Sequence, residues 1–162
     1  MKNKLIYYDI YDEFNSVNKF RELKSIPHHG NNRLDHINRV AKLSFRVSKY
    51  LNLDYVSCTR GAIMHDFFTL EDINKNKNKL KSFLKKHPSE ALNNSKHYFD
   101  VNDIEEDIIL SHMYPITKEK PEYIESKVVC ICDKLVSIYE FIRFQINFSM
   151  YAAMLFCFKF MK

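Results

Sequence analysis

The sequence predicts an all-α fold, a bundle of helices around one core. Three observations carry that expectation. Only 2 Gly and 4 Pro punctuate 162 residues, too few for a turn-rich sheet protein. Apolar residues recur at steps of three and four through most of the chain, the period of a helix with one buried face. Helix-start signals at Asp54, Pro88 and the Asn102/Glu105 pair stand directly before such runs.

Bulk comes from 13 Phe and 10 Tyr, with no Trp. The length suits a single domain, 1–162, with a substantial core and no disulfide support. Cys58, Cys130, Cys132 and Cys157 lie in apolar patterns without the paired spacing of a structural zinc site, and read as buried free thiols of a reducing compartment. Met1-Lys2-Asn3-Lys4 soon meets Asp9, Asp12 and Glu13 rather than an apolar leader, so a cytoplasmic protein is expected. The formal net charge of +5 suits phosphorylated ligands, with nucleic acid a weaker expectation. Its excess gathers in Lys75, Lys77, Lys79, Lys81, Lys85 and Lys86, first a solvated face and second a basic gate for an anionic substrate.

Residues 5–24 put Leu5, Ile6, Ile10, Phe14, Val17, Phe20 and Leu23 on a broad helical stripe, broken near Asn15 and Ser16. Ile26-Pro27-His28-His29-Gly30 interrupts it. Residues 33–52 then form the clearest long helix, in which His36, Val40, Leu43 and Val47 share a face that Ile37, Ala41, Ser44 and Leu51 widen. Leu53-Asp54 ends that unit, and Asp54 caps a short helix running to about His65. There Ala62-Ile63-Met64-His65-Asp66-Phe67-Phe68 is an apolar run interrupted by an imidazole and a carboxylate.

From Glu71 through Lys79 the chain reads as an exposed loop. A short helix over 80–86 follows, and Pro88 opens the next, leaving His87 at its cap. Behind the Asn102/Glu105 capping box, Ile104, Ile108 and His112 share one helix face, and Pro115 breaks the helix soon after. The last helix begins near Pro121 with Ile124, Val128, Ile131, Leu135 and Ile138 on a broad apolar side. Asp133 lies among Val129, Cys130, Cys132 and Val136, where an unpaired carboxylate is costly. A metal would resolve that cost, as would a salt bridge to Arg39 or Lys134. Within an apolar extension over 144–162, the run from Phe148 to Phe158 is too short for a confident membrane span, and docking onto the domain or a homodimer partner is the more economical use.

His36, His65, Asp66, His87, His112 and Asp133 therefore arrive from separate elements. Any one alone is weak, since a carbonyl bond, a helix cap or a salt bridge accounts for it. Together they form a nitrogen and oxygen donor set that suits iron, manganese or zinc better than a thiolate site does. The order H...HD...D, carried by His36, His65-Asp66 and Asp133, resembles the HD-domain superfamily of helical metal-dependent phosphohydrolases over residues 28–140. His87 and His112 match the two further histidines of its dinuclear branch, as in small bacterial HD proteins.

That resemblance implies two divalent cations. His36, His65, Asp66 and Asp133 would hold one, with Asp66 bridging to a second held by His87 and His112. Iron or manganese is the first expectation, with zinc, magnesium or nickel as alternatives. Such a pair deprotonates water, orients phosphate and neutralises charge on the leaving oxygen, so the expected nucleophile is hydroxide held by the metals rather than Ser or Cys.

The chain departs from the common HDIGK form, reading His65-Asp66-Phe67-Phe68-Thr69. Without that lysine, Arg33, Thr69 and Lys134 are the expected phosphate-binding groups. Pro27-His28-His29-Gly30 resembles an element of small bacterial HD proteins. His29 is expected to join Asp66 in the chemistry by orienting substrate or assisting as an acid, a loop-fixing histidine pair being the competing reading. The expected activity is cleavage of a phosphate ester or anhydride in a nucleotide, dinucleoside polyphosphates foremost. A noncatalytic metal- and nucleotide-binding sensor or interaction protein is the alternative.

Overall fold

The computed structural model describes residues 2–28, 31–69, 72 and 80–160, with side chains for 6–28, 31–69, 72 and 86–150. Its helices are α1 (Lys2–Asn15), α2 (Asn18–Arg21), a 3-10 turn (Glu22–Ser25), α3 (Arg33–Tyr50), α4 (Tyr55–Met64), α5 (Leu80–Tyr98), α6 (Asp103–Ser111) and α7 (Ile124–Phe160). Two short strands, β1 (Pro27–His28) and β2 (Asn31–Asn32), pair antiparallel ahead of α3, with His28 opposite Asn31. The fold is all-α, as expected. His29, Gly30 and the lysines at 75, 77 and 79 lie outside the described residues, as do the side chains of Lys81, Lys85 and the extension beyond 150.

Local chemistry sets most element boundaries. Asn32 caps α3 by accepting the Asp35 N–H at 2.9 Å. That helix ends on Asn52, whose φ of 54° is the left-handed turn asparagine tolerates. Leu53 N–H then reaches back to the Ser48 carbonyl and Asn52 N–H to the Lys49 carbonyl, the closing pattern that satisfies a helix's last acceptors. Leu51 falls beyond the buried face and is exposed. Asp54 caps α4 by accepting from Val56 and Ser57 N–H, and the Asn102/Glu105 capping box opens α6.

Two further expectations are corrected. Pro88 does not open a new helix, because α5 runs through it from Leu80 to Tyr98. A proline costs that helix one backbone bond, and burial of His87, Ala91, Leu92 and Ser95 on either side holds the helix together across it. On α7, only Val128 of the expected apolar side is buried, while Ile124, Ile131, Leu135 and Ile138 face outward. The face turned to the core carries Val129, Cys132, Asp133, Val136 and Glu140 instead.

Helix α4 is the hub, packed against α3, α6 and α7. Gly61 permits its approach to α6, because a Cβ there would sit 2.6 Å from Ile108 Cδ1 and 3.0 Å from Ile108 Cβ. An aromatic cluster of Phe14, Phe20, Phe67 and Phe99 closes one side of the core, with Phe14 and Phe99 centroids 4.6 Å apart and Phe20 and Phe67 5.6 Å apart. Phe67 thereby anchors the turn that follows His65 and Asp66. Cys58, Cys130 and Cys132 are buried free thiols. Among the described residues no helix is long and apolar enough to cross a membrane.

Candidate metal centre

Two of the histidines are aimed by one device used twice. His65 and His112 each follow directly after a helix end, at Met64 of α4 and Ser111 of α6. The last turn of a helix leaves carbonyls without intrahelical donors, and each imidazole takes one of them three residues back. His65 Nδ1 lies 2.8 Å from the Ala62 carbonyl and His112 Nδ1 lies 2.7 Å from the Ile109 carbonyl. A carbonyl only accepts, so Nδ1 carries the proton and Nε2 presents its lone pair inward. Burial, with His65 and His87 alongside, pushes His112 down to about 3, which keeps it neutral and ready to ligate.

His36 reaches the same interior from α3, where its Nε2 lies 3.1 Å from Asp133 Oδ1. Its Nδ1 lies 3.0 Å from Glu140 Oε2. Burial alone would lower this imidazole, but bonds to the Asp133 and Glu140 carboxylates push it up to about 9. Metal-free His36 is therefore an imidazolium at neutral pH, donating to both. Burial would raise Asp133, yet its bond to His36 and the imidazoles around it hold it down at about 2.

Asp66 stands between two sets of donors. Its Oδ2 accepts from Arg33 at 2.9 Å and lies 3.9 Å from His65 Nε2. Its Oδ1 lies 3.5 Å from His87 Nε2 and 3.7 Å from His112 Nε2, and those two nitrogens are 3.0 Å apart. Burial opposes its charge, but Arg33 and the imidazoles of His65, His87 and His112 hold its carboxyl well below the usual range. Ligand atoms gather in three groups, each within 4.8 Å: His36, His65 and Asp133; Asp66, His87 and His112; and His28, His36 and Asp66.

The residues fit a metal. His65 Nε2 is fully buried without a hydrogen-bond partner, and such an atom is costly unless a cation meets its lone pair. All six residues expected as ligands converge here, their donors being imidazole nitrogen and carboxylate oxygen, the set that divalent iron, manganese or zinc accepts.

The expected phosphate-binding groups each have protein partners. Arg33 is buried, bonds Asp66 and stacks its guanidinium 3.6 Å from the centre of the Phe68 ring. Thr69 donates its hydroxyl to Asp72 Oδ2 at 2.9 Å, and Asn94 bonds the same oxygen at 3.1 Å. Lys134 directs its ammonium to the His112 and Cys130 carbonyls, both at 3.1 Å, and to Cys130 Sγ at 2.9 Å. Arg39 pairs with Glu140 at 2.6 Å rather than with Asp133.

Two neighbours of the centre were not anticipated from the sequence. His28 sets its ring 4.4 Å from that of His36, tilted by 50°. Glu140 is 1% exposed and fixes the outer nitrogen of His36. Its signal was present, since it is a lone carboxylate in an apolar run two helical turns beyond Asp133.

No curated protein and no solved structure matches the chain. The family model described as HD domain matches residues 33–138, a span that holds His36, His65, Asp66, His87, His112 and Asp133. With that match over more than half its length, the chain belongs to the HD-domain family, whose members are generally metal-dependent hydrolases.

Proposed function

We propose that the protein hydrolyses a phosphate ester or anhydride in a nucleotide, dinucleoside polyphosphates foremost, with two divalent cations, iron or manganese first. The observation that carries this reading is the position of Asp66, one oxygen toward His65 and the other toward His87 and His112. His36, His65 and Asp133 would hold one cation with Asp66, and His87 and His112 the other, Asp66 bridging. When bound, the cations supply Lewis acidity toward phosphoryl oxygen and water that ionises near neutral pH.

The protein's own residues do the rest. Neutral His112 and anionic Asp66 stand ready without proton rearrangement. Arg33, which bonds Asp66 and lies over the Phe68 ring, would turn a donor toward a phosphate oxygen from that position. His29 is assigned to substrate orientation or acid assistance on its sequence position alone.

One observation favours the sensor reading. Thr69 and Lys134 are both engaged by protein partners, and no lysine stands where the family's HDIGK form has one. Turnover of a panel of nucleotides, dinucleoside polyphosphates and simple phosphoesters, with each metal added anaerobically, decides between the two. Metal-dependent turnover that Asp66→Asn lowers by at least a thousandfold, with metal lost from both positions, supports the hydrolase. Tight nucleotide binding without turnover in any metal assigns the sensor, and full activity in Asp66→Asn removes the bridge.

A further inference from the structure

Helix α7 has two opposed faces with different chemistry. At 100° per residue, Val129, Asp133, Val136 and Glu140 fall on one side, which packs on the core and delivers a ligand and its support. Ile124, Ile131, Leu135, Ile138, Ile142 and Ile146 fall within one narrow stripe on the other side. Each of these six is between 51% and 58% exposed, although all are large branched aliphatics. The stripe runs about 33 Å along the helix.

We infer that this stripe is a self-association surface and that its occupant is the same stripe on a second copy of the chain. Rows of Ile and Leu at steps of three and four are how helices pair side by side, each side chain entering the gap left by its neighbours. A two-fold pairing needs only one kind of surface, and the stripe is self-complementary because it is apolar throughout. With exposed Tyr139 beside it, the stripe leaves roughly 700 Å² of largely apolar surface, close to the about 800 Å² per partner of a standard interface. That much open apolar area is rare on a monomer.

A lipid surface is the weaker occupant. Interfacial helices set an apolar face with Trp or Phe against a Lys/Arg-rich polar one. This chain has no Trp, and from Val129 to Glu140 the face opposite the stripe is buried on the core and carries the Asp133 and Glu140 carboxylates. The surface starts well ahead of the terminal extension over 144–162 to which the sequence pointed, along the helix that contributes Asp133.

Sedimentation equilibrium of the full-length protein tests the assignment, alone and with phosphatidylglycerol-containing vesicles. The wild type is expected at twice the mass of one chain at micromolar concentration. Leu135→Lys with Ile138→Glu is expected at the mass of one chain, with unchanged helical circular dichroism and unchanged metal content, because the substituted face points away from the ligands. Should that variant fail to fold, the milder Ile138→Ser is expected to weaken the dimer tenfold or more. A wild type that stays at single-chain mass overturns the inference, and so does a dimer unmoved by a folded stripe variant. Vesicle binding by a single-chain wild type assigns the stripe to lipid instead.

Discussion

Glu140 shows how a residue that touches no cation can govern one. Its carboxylate holds His36 Nδ1 while Asp133 faces Nε2, so it fixes the ring and raises its basicity. Replacing Glu140 by Ala is expected to weaken metal binding by about 10- to 100-fold, with Gln restoring part of the loss by accepting the same Nδ1–H. Competition with a chelator measures it, and unchanged affinity in the Ala variant removes the role. The same imidazole sets a pH dependence in the metal-free protein. His36 stands at about 9 when folded and near 6.5 unfolded. Its stabilisation is thus complete below about pH 6.5 and is lost as pH rises toward 9, up to about 3 kcal/mol. Urea unfolding in chelator from pH 6 to 9.5 should show that decline, and a flat profile contradicts it. The residues legible in the sequence were those that interrupt apolar runs, His65, Asp66 and Asp133 above all, because burial makes such groups conspicuous. Arg33, Thr69 and Lys134 were legible as polar but not in their partners, since a side chain's direction depends on neighbours from distant elements.

At the level of elements, capping residues marked where helices begin, and they marked it well. Asp54 and Asn102 each accept from the first turn they precede, a local interaction that needs no knowledge of the fold. Pro88 misled because its local cost is outweighed by tertiary burial along α5. The apolar side of α7 misled for a related reason, in that periodicity identifies a stripe but not what covers it. Gly61 carries the most consequence for the site, since it sets the spacing between α4, which leads into His65 and Asp66, and α6, which leads into His112. Gly61→Ala would force Ile108 aside and is expected to cost about 1 to 3 kcal/mol, together with weaker metal binding. Denaturant unfolding checks the first effect and metal titration the second. A variant of wild-type stability would show that Ile108 has room to move.

Across the whole molecule, six ligand-type residues spread over nearly a hundred positions meet because α3, α4, α6 and α7 share one core, with α5 bringing His87 beside them. The all-α architecture followed from helical periodicity and scarce glycine, while the convergence became legible through the order of His and Asp along the chain. The spacing of Glu140 from Asp133 puts both on one face of α7, but its contact with His36 depends on how α3 and α7 cross. Metal counting on anaerobically prepared protein tests the central claim most directly. Two equivalents per chain are expected in the wild type, and one in a folded His87→Ala, His112→Ala double variant. No bound metal in the wild type, or two equivalents retained by the double variant, would contradict the two-cation centre.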